Sequence, residues 1–263
     1  MTETDPQIPH VLACDVGNSA IHLAIVHGDT VSEAKTLRLG ELSGLAELLG
    51  ALWDQMPQPR AIAACSVNTI GLKALEAAAD TLVDKRLLLV GRDLPLPMAT
   101  DLESPESVGT DRICAAVAAY DRLGQPCIVA DFGSAITVDA INEQGVFLGG
   151  AILPGLAMQA RCLAEQTDQL PQIDLAGPET PVGRNTEQAI RNGIIQGARG
   201  AMRQLAEAYA MHLGAFPLVI ATGGDARLIC GHVGDSDLVQ TIVDDLTLRG
   251  VAMAYYNYLI QSS

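Results

Sequence analysis

The feature that most constrains this chain is a degenerate internal repeat. Residues 11–19 read VLACDVGNS and residues 127–134 read CIVADFGS, each an apolar run ending in an aspartate, a glycine and small polar residues, and both continue with Ala-Ile. Short apolar runs bounded by turn residues predict buried strands over 11–14 and 128–130, each followed by a second apolar stretch, 21–26 and 136–141. The next turn signals, His27-Gly28-Asp29-Thr30 and Asn142-Glu143-Gln144-Gly145, keep step with Asp15 and Asp131 to within one position. The sequence therefore predicts two copies of strand, Asp-Gly turn, strand, turn, strand.

Helix and further strand follow each copy. In the first half the spacing predicts helices over 41–54 and 72–83 and strands over 61–65 and 87–90. In the second, apolar residues at Ile190, Ile194, Ala198, Ala201, Leu205 and Tyr209 mark a helix over 185–213, opened by the Asn185-x-x-Gln188 capping pattern. A strand over 218–221 ends in Thr222-Gly223-Gly224, and 247–260 reads as a closing helix. Gly193 and Gly197, one helical turn apart, predict close packing of that helix on a neighbour. The boundary between halves falls near Gly124-Gln125-Pro126, giving domains over 9–124 and 125–263. Two similar α/β domains facing a central cleft are the simplest architecture.

With 263 residues, 49% of them hydrophobic, the chain can bury a substantial core. Its net charge of −15 repels a phosphate backbone, so nucleic acid is excluded as a default partner and any phosphate site must be local. The six cysteines form no C-x-x-C pair, which predicts buried thiols in a reducing cytoplasm and no zinc site; the five histidines show no ligand spacing. The first ten residues are polar and acidic, unlike a signal peptide, and the longest uncharged run, 144–160, is broken by glycine and proline, unlike a membrane span. Met253, Tyr255, Tyr256 and Tyr258 read as packing or interface residues.

An aspartate at the end of a buried strand, followed by glycine, exposes backbone amides in a tight turn suited to phosphate oxygens. Asp15 itself has the wrong sign for phosphate, so its role in such a site is to hold Mg²⁺, directly or through water. One Asp-x-Gly-x-Ser segment alone is equally an ordinary Asx turn. The segment 105–112, PESVGTDR, supplies a third carboxylate, Asp111, at the start of a helix with apolar residues Ile113, Ala116, Val117 and Tyr120. There it is either a first-turn helix acid or the acceptor of a hydroxyl proton in phosphoryl transfer.

Taken in order, DVGNS at 15–19, GTDR at 109–112, DFGSAITVD at 131–139, GGAILPG at 149–155 and VGRNTEQAIRNG at 182–193 resemble type III pantothenate kinases. The resemblance implies two duplicated ribonuclease H-like domains of the actin-like ATPase and sugar-kinase class facing a nucleotide cleft. It implies transfer of the ATP γ-phosphate to pantothenate, the first step of coenzyme A synthesis, by a cytoplasmic homodimer. Carried over by position, Asp111 is the proton acceptor, and Asp15, Val16, Gly17, Asn18, Ser19, Ala20, Ile21 and His22 line the nucleotide phosphates together with Ser134. Asp131 binds the monovalent cation, K⁺ or NH₄⁺, that accompanies Mg²⁺, while Gly109, Thr110, Asp111, Arg112 and Thr186 contact pantothenate. The family's usual threonines are Ser19 and Ser134 here, and Leu102 stands where a tyrosine is usual. The alternatives are a kinase of another small acceptor in the same superfamily and a catalytically weak accessory protein.

Overall fold

The structure is a computed structural model and describes residues 8–82, 86–178, 180, 182–231 and 238–262. The chain divides into two units, Met1–Arg122 with Asp245–Ser263, and Leu123–Asp244.

In the first unit β1 (His10–Val16) turns into β2 (Ala20–His27), which pairs with the short β3 (Thr30–Val31) and with β4 (Lys35–Arg38). Then come α1 (Leu45–Asp54), β5 (Arg60–Ser66), α2 (Thr69–Ala79), β6 (Leu87–Leu89) and α3 (Thr110–Leu123). The sheet order is β3-β2-β1-β5-β6, with β1 antiparallel to β2 and parallel to β5. β1 is the central strand, and its near-continuous apolar run is covered on both faces, as parallel strands require.

Side-chain alternation divides those faces. Leu12, Cys14 and Val16 pack with Leu45, Leu49 and Trp53 of α1 and Leu75 of α2. Val11 and Ala13 look the other way, onto Ala63 and Cys65 of β5 and Cys114 of α3. Asp15, next in that second series, thereby emerges where the α3-covered face meets the end of the strand.

The second unit repeats the plan with β7 (Cys127–Phe132), β8 (Ala135–Ile141), β9 (Phe147–Pro154), α4 (Leu156–Gln166), α5 (Thr186–Leu213), β10 (Leu218–Thr222), α6 (Ala226–Cys230) and β11 (Val239–Ile242). Its sheet order, β9-β8-β7-β10-β11, matches that of the first unit, with β7 antiparallel to β8 and parallel to β10. Ala130 and Phe132 face a core built by α4, α5 and α6, which leaves Asp131 on the opposite side of β7. The Asn185 cap forms as its pattern predicts: Asn185 Oδ1 accepts from the Gln188 amide at 2.9 Å, and Gln188 Oε1 accepts from the Arg184 amide at 2.9 Å.

The last helix, α7 (Leu246–Ser262), belongs to the first unit and not to the second half of the chain. Leu248, Val251, Ala252 and Ala254 complete the core over β1, β2 and β5. A Cβ on Gly250 would lie 1.8 Å from the Cys114 carbonyl oxygen, so only glycine lets α7 come this close to α3. Tyr256 donates to the Pro9 and Val26 carbonyls at 3.1 and 3.3 Å, a packing role.

Three further points depart from the sequence reading. Gly193 and Gly197 face open space, since a Cβ at either meets nothing within 4 Å, so they do not mediate helix packing in this chain. Cys162 is exposed, unlike the other five cysteines. The helix α4 follows directly on the Gly-Pro-rich run and was not legible there, and residue 83, expected to end a helix, lies outside the described residues. Among the described residues, no helix is long and apolar enough to cross a membrane.

Candidate active site

In the first unit the aspartate turn is closed by backbone bonding: the Gly17 amide donates to the Ala20 carbonyl at 3.0 Å and the Leu39 amide to the Ser19 carbonyl at 3.0 Å. Asn18 and Ser19 are exposed and Gly17 is half-buried, so the tip of the turn is open to solvent. Val16 and Ile21, counted among the phosphate-lining positions, have fully buried side chains, and any contact from them runs through the backbone. His22 is half-buried, with Nδ1 2.9 Å from Thr36 Oγ1, and its burial lowers its pKa, favouring the neutral imidazole.

The GTDR segment is pinned to the same end of the sheet. Thr110 Oγ1 accepts from the Ser66 amide at 3.2 Å, which locks the start of α3 to the end of β5. Asp111 is the first-turn acid of α3, and its Oδ1 accepts from the Arg112 amide at 2.8 Å. A Cβ on Gly109 would lie 2.5 Å from Asp111 Oδ1 and 3.3 Å from Val67 Cγ1, so glycine is required for the carboxylate to fold back over the segment. Gly109, Thr110, Asp111 and Arg112 are all half-buried. Leu102 is half-buried in the irregular stretch that leads to this segment.

Asp15 is bonded by a residue the sequence did not mark as part of the site. Parallel pairing sets Cys65 in register with Asp15, and the Cys65 thiol donates to Asp15 Oδ1 at 3.4 Å. The Cys65 thiol is held well above its ordinary pKa, first by a hydrogen bond with Cys114, then by burial, then by the charges of Asp15 and Asp111. Asn68, which caps α2 by accepting from the Gly71 amide at 2.8 Å, donates from Nδ2 to Asn18 Oδ1 at 3.3 Å and steadies the turn. The only signal for these positions was their place at the end of an apolar strand; that it pairs beside β1 becomes visible with the sheet order.

In the second unit the turn is one residue shorter, and the Gly133 amide donates to the Ala135 carbonyl at 3.0 Å. Asp131 is half-buried, and a glycine approaches it closely. A Cβ on Gly223, whose φ is +92°, would lie 2.4 Å from Asp131 Oδ1 and 2.6 Å from the Phe132 carbonyl oxygen. Gly155 is constrained likewise, its Cβ position lying 2.4 Å from the Gly133 and Ser134 carbonyl oxygens. Ser134 is exposed at the tip. Asp225, in the same Gly-rich stretch, is pushed up in pKa by burial, and its amide donates to the Phe132 carbonyl at 3.0 Å.

Thr186 is exposed at the first position of α5 and lines a groove of about 950 Å³ between α4 and α5 with Met158, Leu163, Asn185 and Ile190. No group of three or more His, Cys, Asp or Glu able to hold a metal ion occurs among the described residues. A half-buried carboxylate at the end of a strand, beside an exposed turn, nonetheless fits Mg²⁺, which keeps most of its waters and binds through one or two carboxylates plus substrate phosphates.

Residues 11–208 match the profile of a family described as type III pantothenate kinase. A type III pantothenate kinase of Chlorobaculum parvum is 33% identical over 250 residues, covering 91% of this chain and 92% of that protein. One from Dehalococcoides mccartyi is 31% identical, covering 93% and 95%. Among solved structures, a Campylobacter jejuni protein assigned to the Baf family of transcriptional activators superposes with a TM-score of 0.58 at 22% identity, covering 94% of this chain and 98% of that one. A glucokinase from an Antarctic psychrotroph superposes at 0.50 with 11% identity, covering 95% and 100%. These structural likenesses establish the fold, a duplicated α/β plan shared with sugar kinases.

Proposed function

The chain belongs to the type III pantothenate kinase family, and from that premise we propose that it transfers the γ-phosphoryl group of ATP to the primary hydroxyl of pantothenate, giving 4′-phosphopantothenate for coenzyme A synthesis. The observation that carries the reading beyond family membership is that two neighbouring residues of β5 bind both segments, the Cys65 thiol bonding Asp15 and the Ser66 amide bonding Thr110 beside Asp111, which sets a phosphate turn and a helix-start carboxylate at one end of one sheet.

In this reading Asp111 accepts the hydroxyl proton as the phosphoryl group leaves ATP. The N-terminal end of α3 favours its ionised form, and the Arg112 amide holds one of its oxygens at 2.8 Å. Arg112 offsets the pantothenate carboxylate, with Gly109 and Thr110 shaping the acceptor side. The turn from Asp15 to His22 offers amides to the nucleotide phosphates and Ser134 adds a hydroxyl. Mg²⁺, when bound, neutralises phosphate charge next to Asp15. Asp131, held between Gly133 and Gly223, is the carboxylate for a monovalent cation, K⁺ or NH₄⁺.

The protein acts as a cytoplasmic homodimer on a small molecule, without nucleic acid or membrane partners. Support for the dimer is the groove holding Thr186, lined by Met158, which is 41% exposed, with the glycines of α5 facing open space. The test is to incubate the purified protein with Mg·ATP, K⁺ and pantothenate and look for 4′-phosphopantothenate by mass spectrometry; no product with pantothenate but turnover of another alcohol would refute the substrate assignment.

A further inference from the structure

Cys65 belongs to neither aspartate turn, and the reaction as described gives it no part. It is fully buried near the end of β5, in register with Asp15 across the parallel pair, and donates to Asp15 Oδ1 at 3.4 Å. It also hydrogen-bonds the thiol of Cys114, three residues beyond Asp111 on α3 and itself fully buried.

We propose that Cys65 is a positioning residue that fixes the Asp15 carboxylate in the orientation from which it meets the hydrated Mg²⁺ of bound nucleotide. The torsion that turns a carboxylate about its stem is broad and roughly two-fold, so a donor on one named oxygen favours one of its orientations. The alternative, that Cys65 merely fills the core, makes the opposite forecast for two small substitutions. Core filling favours alanine over serine, since a buried hydroxyl costs free energy unless it is bonded. Positioning favours serine, which keeps a donor, over alanine, which loses it.

The inference rests on the reading of Asp15 as the Mg²⁺-facing carboxylate, and the experiment separates the two. Binding of the non-hydrolysable β,γ-imido analogue of ATP is measured by calorimetry on the full chain with and without Mg²⁺, for wild type, Cys65→Ala and Cys65→Ser. The expected result is that Cys65→Ala weakens Mg²⁺-dependent binding about 3–10-fold, the value of one hydrogen bond. Binding without Mg²⁺ stays unchanged, and Cys65→Ser recovers most of the loss. Infrared spectroscopy supplies a readout that does not depend on the alanine variant folding: the Cys65 S–H stretch, assigned as wild type minus Cys65→Ser, shifts when Mg·nucleotide binds and again in Asp15→Asn. Serine no better than alanine, a loss equal with and without Mg²⁺, or an S–H band indifferent to Mg·nucleotide overturns the positioning role alone. Wild-type binding that owes nothing to Mg²⁺ overturns the reading of Asp15 and this inference with it.

Discussion

Replacing Asp111 by asparagine separates its two possible roles. Asparagine keeps a side-chain oxygen that accepts from the Arg112 amide, now bonded at 2.8 Å, and it has nearly the same volume beside Gly109. What is lost structurally is one negative charge in the first turn of α3, worth about 0.3–1 kcal/mol. For a protein of this size such a loss lowers Tm by at most ~2–4 °C. What is lost chemically is the proton acceptor, typically worth about 10²–10⁴-fold in rate, or ~3–5 kcal/mol of transition-state stabilisation. The kinetic effect should therefore exceed the stability effect several times over. Single-turnover phosphorylation of pantothenate, followed alongside thermal unfolding and nucleotide binding, tests both quantities on one preparation. A variant retaining kcat within about tenfold of wild type would show that Asp111 is only a helix-start acid.

Three further outcomes are expected. Turnover falls when Na⁺ replaces K⁺, and Asp131→Ala abolishes the distinction; equal steady-state rates with K⁺, Na⁺ and a bulky organic cation contradict the cation role. Gly223→Ala, which puts a methyl 2.4 Å from Asp131 Oδ1 at a φ of +92°, destabilises the protein by about 2–3 kcal/mol in urea unfolding and disables the second turn. Burial of His22 depresses its pKa in the folded state, so the unfolded chain binds the proton more readily; stability is intact above about pH 6.5 and declines as pH falls below it toward the lower folded value. His22→Gln should flatten that part of the Tm-against-pH curve, and an unchanged slope would show that other groups set it.

The duplicated strand-turn-strand plan was legible because apolar runs, Asp-Gly turns and hairpin signals recur in step, and local chemistry of this kind survives divergence. The capping pattern at Asn185 and Gln188 was legible for the same reason. The acidic and glycine residues of both turns could be read as candidates, and the structure explains several by close approach, as at Gly109 against Asp111 and Gly223 against Asp131. Non-local pairing was hidden. Nothing near Cys65 in the sequence says that it lies in register with Asp15, because that follows from strand order. Likewise Gly193 and Gly197 carry a helix-packing spacing but face open space, since spacing reports which residues share a helix face and not what covers it. The closing helix was recognised as a helix, yet its place in the first unit comes from packing across much of the chain, on β1, β2 and β5 and at Gly250 against Cys114.

That helix has a consequence for the order in which the protein can be made. The chain leaves the first unit at Arg122 and returns at Asp245, so the second unit is an insertion and leaves the ribosome whole while the first is still missing a wall. Until α7 emerges, Val11, Ala13, Ala63 and Cys65 have no Val251 or Ala252 to pack against, and the sheet end that carries Asp15 is open to chaperones, to wrong partners and to water. The earliest-synthesised strand and the last-synthesised helix thus mature together. A messenger or protease lesion near the C-terminus would silence chemistry encoded at the opposite end of the gene.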